Sequence, residues 1–235
     1  MNNKFSIFTI CTENYKDAID FSIPSWLGLG TLDNIFIYTD FDLAYPDKRV
    51  IIINDLDKTS DWLKIVRLKA MLLRRFILTY NCPYFCFIDI DCYITGDISD
   101  MFNNDFDIAA TRMMHPIYGA NAGVWFCKNT PALSKFANEW IELQEQFKEN
   151  GRGVMKHDQS YSQLSYSDIL HRELKNKTYL TVLPIPSVIY NNEADDVNVW
   201  AEGVKNNHPK VIHFKGRRWR DSELVKRILN LQYDT

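Results

Sequence analysis

This 235-residue chain is short of the features that would announce a partner. Its formal net charge is only −3, which gives no overall field for nucleic acid or an anionic membrane, so any anion site must be local. No apolar run approaches the roughly 18 residues that an ordinary transmembrane helix needs. Met1-Asn2-Asn3-Lys4 leads straight into an apolar alternation, with no charged segment and cleavage site, so no secretory signal is expected. There is no C-x-x-C pair. Cys11, Cys82, Cys86, Cys92 and Cys127 are an odd number, and most lie in apolar runs where a free thiol behaves as a small hydrophobe. A zinc cluster on Cys82, Cys86 and Cys92 has no neighbouring histidine to support it. Internal repeats and low-complexity linkers are also missing. The expectation is a soluble, cytoplasmic protein folded as one domain over residues 1–235.

What is present is packing material. Hydrophobic residues make up 46% and aromatic residues 14%, enough for a substantial core. Strands are expected at Phe5–Cys11, Asn34–Thr39, Arg49–Ile53, Tyr84–Ile88, Asp107–Ala110, Gly123–Lys128, Tyr179–Leu183 and Val211–Phe214. Helices are expected from about Lys16 to Gly28, over Asp61–Tyr80 (capped by Ser60 or Asp61) and over Pro131–Phe147 (capped by Thr130). Two more are expected from near Asp158 and over Asp221–Leu231. Ile94–Ile98 reads as a turn back onto the sheet. Strands alternating with helices in the first half argue an α/β fold with a mostly parallel central sheet flanked by helices.

Within that pattern Tyr84-Phe85-Cys86-Phe87-Ile88-Asp89-Ile90-Asp91 stands out. Five non-polar residues suit a strand buried on both faces, and two carboxylates at i, i+2 follow it. Ligands of open parallel sheets gather beyond the carboxyl ends of the strands. Alternating side chains let Asp89 and Asp91 turn to one side and share a hard cation, Mg²⁺ or Mn²⁺, which in turn can hold a phosphate. Read alone, the pair also fits an exposed acidic turn.

Four blocks together resemble the GT-A glycosyltransferases, most closely glycosyltransferase family 8, the glycogenin/galactosyltransferase-like group. They are Phe87–Ile98 with its Asp-x-Asp and Gly96-Asp97-Ile98, Asn121-Ala122-Gly123-Val124, Asp158-Gln159, and Val211-Ile212-His213-Phe214-Lys215-Gly216. The exit of the first strand, Thr12-Glu13-Asn14-Tyr15, also fits. The resemblance implies a single GT-A, Rossmann-like nucleotide-diphospho-sugar transferase domain. Its nucleotide-binding half would be about 1–100 and its acceptor-side half about 101–235. The activity implied is metal-dependent transfer of a sugar, with retention, from a nucleotide-diphosphate donor (UDP-linked by resemblance) to a hydroxyl acceptor.

By that resemblance His213 is a third metal ligand beside Asp89 and Asp91. A neutral imidazole favours Mn²⁺ over Mg²⁺. The donor would meet the Asp89-Ile90-Asp91 segment. Thr12, Asn14 and Tyr15 would hold the uracil, with Tyr15 stacked on the base. Gly216 lets backbone approach a phosphate, and Arg217 and Arg218, with Lys215 and Arg220 nearby, offer donors to its oxygens. Arg67 and Lys69 are further candidates for the diphosphate or sugar. Asn121, Asp158 and Gln159 would line the sugar pocket, with Asp158 facing the anomeric carbon.

Each residue also has a plainer reading: a structural histidine, a solvated basic loop, a packed tyrosine, a helix cap. Two other functions use the same residues. A haloacid dehalogenase-type phosphohydrolase also ends a strand in Asp-x-Asp, with Asp195-Asp196 as a late acidic pair. Its motif, however, normally lies on the first strand. The third possibility is a sugar-nucleotide or glycan binder without chemistry.

Overall fold

The structure is a computed structural model and describes residues 3–58, 62–112, 119–150, 160–192, 204–216 and 218–233. Nine strands are described: β1 Phe5–Cys11, β2 Leu32–Thr39, β3 Val50–Asn54, β4 Tyr84–Ile88, β5 Cys92–Ile94, β6 Ile108–Arg112, β7 Ala120–Lys128, β8 Val182–Ile185 and β9 Val211–His213. The main helices are α1 Ala18–Leu27, α2 Trp62–Thr79, α3 Pro131–Glu149 and α4 Ser160–Asn176, and Ser222–Tyr233 forms a closing helix.

Seven strands form one sheet in the order β3-β2-β1-β4-β7-β6-β8. β7 alone runs against its neighbours, antiparallel to both β4 and β6, and the other pairings are parallel. The expected mostly parallel α/β sheet is what the chain builds. Every residue of β1 is buried, as helix layers on both faces require. Side-chain alternation divides the core into two. Ile7, Cys86 and Ile88 face Ile23 and Trp26 of α1, whereas Phe8, Phe85 and Phe87 face Leu73 and Phe76 of α2 with Trp125 and Trp140.

α3 begins at the expected place. Thr130 Oγ1 accepts the Leu133 amide at 3.2 Å, and Pro131 occupies the first turn, where its missing N–H goes unused. Ser60 and Asp61, the expected caps of α2, lie outside the described residues.

Two expectations need correction. The strand expected at Tyr179–Leu183 is β8, displaced to Val182–Ile185. The Glu173 carboxylate takes the amides of Thr178 and Tyr179 at 3.0 and 3.1 Å, and Asp107 takes that of Thr181 at 2.7 Å. Side chains therefore satisfy the backbone that a strand would have paired. The residues after Asp91 do not turn back onto the main sheet. β5 instead pairs with β9 in a separate antiparallel ribbon that sets Cys92 opposite His213, Tyr93 opposite Ile212 and Ile94 opposite Val211.

Candidate active site

β4 carries its apolar run to Ile88 and delivers Asp89-Ile90-Asp91 at its carboxyl edge, where three elements grip the turn. From β7, the Gly123 carbonyl accepts the Asp89 amide at 2.9 Å. From α1, the Ser22 hydroxyl donates to the Ile90 carbonyl at 2.5 Å, and Trp26 Nε1 to the Cys92 carbonyl at 3.1 Å; Ser25 Oγ accepts the Ile94 amide at 3.1 Å. Just past β9, the Phe214 amide donates to the Asp91 carbonyl at 2.9 Å. Each of these grips ends on backbone and leaves the carboxylates to other side chains.

Across the β5–β9 ribbon His213 reaches both acids. Its Nε2 lies 3.1 Å from Asp91 Oδ1 and 4.0 Å from Asp89 Oδ2. Its Nδ1 lies 2.8 Å from Asn191 Oδ1, while Asn191 Nδ2 donates to Thr111 Oγ1 at 3.4 Å. The amide's carbonyl thus faces the ring and accepts the Nδ1 proton, which leaves Nε2 turned to the carboxylates. Asn191 is held there because its neighbour Asn192 bridges to β9: the Asn192 carbonyl accepts the His213 amide at 2.9 Å.

Asp89 divides its oxygens. Oδ1 accepts from Lys69 Nζ at 2.8 Å and Oδ2 faces His213. The Lys69 ammonium also donates to the Ala122 carbonyl at 2.9 Å and lies over the Phe87 ring, 4.6 Å from its centroid. Burial pushes the Asp89 carboxyl above its ordinary range; Lys69 and His213 pull it back, and Asp91 adds to the push. Gly123 completes the pocket through what it lacks. A Cβ there would stand 2.9 Å from both Asp89 Oδ2 and Asn121 Oδ1, and 3.0 Å from His213 Cε1.

These residues fit a divalent cation. Two carboxylates and a neutral imidazole are an oxygen-rich donor set with one nitrogen. His213 Nε2 stands 3.1 Å from Asp91 Oδ1 and 4.0 Å from Asp89 Oδ2, and the donor atoms that lie within 4.8 Å of one another are those of Asp91, Cys92 and His213. Without a cation or a proton between them, the Nε2 lone pair and the Asp91 oxygen would repel.

The other expected residues fall into three groups. Asn121 joins the site, at an irregularity where the β6–β7 register jumps from Ala110↔Trp125 to Thr111↔Asn121. Its Oδ1 accepts the Gly123 amide at 2.6 Å. Arg67 lies two residues before Lys69 on α2, its guanidinium over the Tyr161 ring at 5.2 Å. Its Nε is buried without a hydrogen-bond partner among the described residues. The Ile90 side chain packs into the core.

A second cluster joins the exit of β1 to the basic segment. Tyr15 packs on Trp219 with ring centroids 5.2 Å apart, and Arg220 forks onto Asp17 with Nε 2.5 Å from Oδ2 and Nη2 3.0 Å from Oδ1. Thr12 is buried, whereas Asn14 is exposed and lends its carbonyl to Arg220. Lys215 and Gly216 are exposed, Arg218 is half-buried, and Gly216 has a φ of +66°, a backbone conformation that favours glycine. Asp158, Gln159, Arg217, Asp195 and Asp196 lie outside the described residues.

Sequence reasoning missed Ser22, Ser25 and Trp26, whose partners are backbone groups 66 to 69 residues away. Asn191 is seen in the sequence only as loop. None of the five cysteines forms a disulfide, and Cys92 has Asp91 and His213 as neighbours, so the zinc grouping with Cys82 and Cys86 is replaced by a different one.

No protein-family profile and no curated protein matches the chain. Solved structures do. The apo form of the glycosyltransferase GlyE of Streptococcus pneumoniae TIGR4 aligns over 97% of this chain and 60% of its own, with a TM-score of 0.56 and 16% identity. A second GlyE structure aligns over 97% and 61%, with a TM-score of 0.56 and 17% identity. The chain therefore spans about three-fifths of the length of the structures it matches. At this identity the likeness establishes architecture: the chain has a glycosyltransferase fold.

Proposed function

We propose that this chain is a metal-dependent glycosyltransferase that moves a sugar from a nucleotide-diphosphate donor, UDP-linked, to a hydroxyl acceptor with retention of configuration. One observation carries the reading: Asp89 and Asp91 at the end of β4 meet His213 of β9, whose Nε2 stands 3.1 Å from Asp91, within a glycosyltransferase fold. Asp89, Asp91 and His213 would hold Mn²⁺ (or Mg²⁺), which when bound offsets the charge developing on the departing diphosphate. Lys69 offsets part of the burial that raises the Asp89 carboxyl and holds one of its oxygens, leaving the other turned toward His213, and Asn191 orients the His213 ring through Nδ1. Gly216 and Arg218, with Arg217, receive the diphosphate where the chain leaves β9. Thr12, Asn14 and Tyr15 receive the base. Asn121, with Asp158 and Gln159, faces the sugar. Arg67, with its buried unpaired Nε, is the remaining donor on that side.

The test is a panel of nucleotide sugars with Mn²⁺, following release of nucleoside diphosphate. Release that disappears in both Asp91→Ala and His213→Ala supports the reading. Nucleotide-sugar binding with no turnover, including no donor hydrolysis, would reduce the protein to a binder. Inversion in the product anomer, read by NMR, would overturn the stereochemical part.

A further inference from the structure

We propose that Cys92 forms, with Asp91 and His213, a second and softer metal site that takes Zn²⁺ or a similar thiophilic divalent cation. It rests on the proposed function only in sharing two residues with the hard-cation centre; the thiol has no part in sugar transfer. The β5–β9 register sets Cys92 directly opposite His213, and opposed residues of an antiparallel pair project from the same face with Cβ atoms about 5 Å apart. One donor atom each from Asp91, Cys92 and His213 all lie within 4.8 Å of one another. Ligands of tetrahedral zinc stand roughly 3.5 Å apart given its bond lengths to sulfur and nitrogen, so small side-chain rotations close the set. The backbone is fixed on both sides, by Trp26 on the Cys92 carbonyl and by Phe214 on that of Asp91.

Chemistry separates the two arrangements. Asp89, Asp91 and His213 offer oxygen and one nitrogen, which suits an ion that retains water. Cys92, Asp91 and His213 offer sulfur, oxygen and nitrogen, a set that zinc takes tetrahedrally with a water in the fourth place. On binding, the thiol proton passes to solvent, and the thiolate and carboxylate together neutralise the dication. Cys92 is 0%, His213 3% and Asp91 7% exposed, so the ion and its one water would be largely cut off from bulk solvent, where that neutrality counts. Zn²⁺ so held takes Asp91 and His213 out of the hard-cation arrangement. It is therefore an inhibitor of any activity supported by Mn²⁺.

Co²⁺ stands in for zinc and reports its ligands. The wild-type protein titrated with Co²⁺ should develop a near-ultraviolet sulfur-to-metal charge-transfer band that Zn²⁺ abolishes. The band should be missing in Cys92→Ala, which keeps the other four thiols. Zn²⁺ affinity by calorimetry should fall at least tenfold in Cys92→Ala and Cys92→Ser, while Mn²⁺ affinity changes less than twofold. Co²⁺ binding without the band in the wild-type protein, or equal Zn²⁺ affinity in all three, would overturn the Cys92 assignment and leave the hard-cation centre standing. If neither Mn²⁺ nor Co²⁺ binds, and His213→Ala changes nothing, both fall. The wild-type spectrum decides without a variant, so misfolding of Cys92→Ala cannot obscure the answer.

Discussion

Lys69 and Asp89 join the middle of α2 to the end of β4, with Nζ 2.8 Å from Oδ1 and side chains only 6% and 19% exposed. The pair is not a surface ornament. Removing the ammonium would leave a carboxylate facing Asp91 in a pocket largely cut off from water.

Lys69→Met keeps the side chain's length and deletes its charge. Breaking a largely buried pair costs about 3 kcal/mol, read as a lower urea midpoint with unchanged slope. The double variant Lys69→Met/Asp89→Asn should recover most of that loss, because no orphaned charge remains. A single variant as stable as the wild type would show that water screens the pair.

Gly123→Ala tests the space left for the carboxylate. The new methyl would meet Asp89 Oδ2 and Asn121 Oδ1 at 2.9 Å, so side chains must turn away from His213. Mn²⁺ affinity should fall roughly tenfold or more, measured from the free-ion signal in electron paramagnetic resonance. Unchanged affinity would mean the cation does not use Asp89.

Asn191→Leu removes the acceptor that holds the His213 ring, 2.8 Å away. Without it the proton can move to Nε2 and block ligation. The expected result is a loss in Mn²⁺ affinity of about tenfold, with the imidazole tautomer followed by nitrogen NMR. Retention of both the tautomer and the affinity would remove Asn191 from the account.

Glu173 supplies the pH dependence. Burial alone would raise its carboxyl, but the Thr178 hydroxyl, the Tyr179 and Leu180 amides and Arg172 outweigh that and hold it at about 2, against an ordinary value of 4.5. A depressed folded pKa contributes stability above the unfolded value that is lost as pH falls between the two. Glu173→Gln should therefore cost about 2 to 3 kcal/mol at neutral pH. The two stability curves should converge as pH drops from 4.5 toward 2. Parallel curves would show that the turn before β8 does not depend on that charge.

What the sequence made legible follows from which interactions are local. The run Tyr84–Ile88 announced a strand covered on both sides because burial of both faces leaves no polar alternation. Thr130-Pro131 announced the start of α3 because a cap and a first-turn proline act within four residues. β8 was misplaced because the donors of Thr178–Thr181 are absorbed by Glu173 and by Asp107, and Asp107 lies 74 residues away from Thr181. The β5–β9 ribbon was invisible for the same reason: neither three-residue strand carries a pattern of its own. Asp89, Asp91 and His213 were legible as a set only through resemblance. Asn191, Ser22 and Trp26, which hold that set in place, have no motif and emerge only once the backbone is folded.

The pairing of β5 with β9 has a consequence for how the protein is made. A ribosome releases Asp89 and Asp91 more than a hundred residues before His213, so the nascent chain carries two acids with no imidazole between them. Domains emerge from their N-terminal side at several residues per second, and the earlier strands can assemble while the centre stays incomplete. If Asp89, Asp91 and His213 hold the proposed cation, its capture waits until synthesis has passed His213. A chain terminated before Val211 should keep much of its sheet and bind no metal.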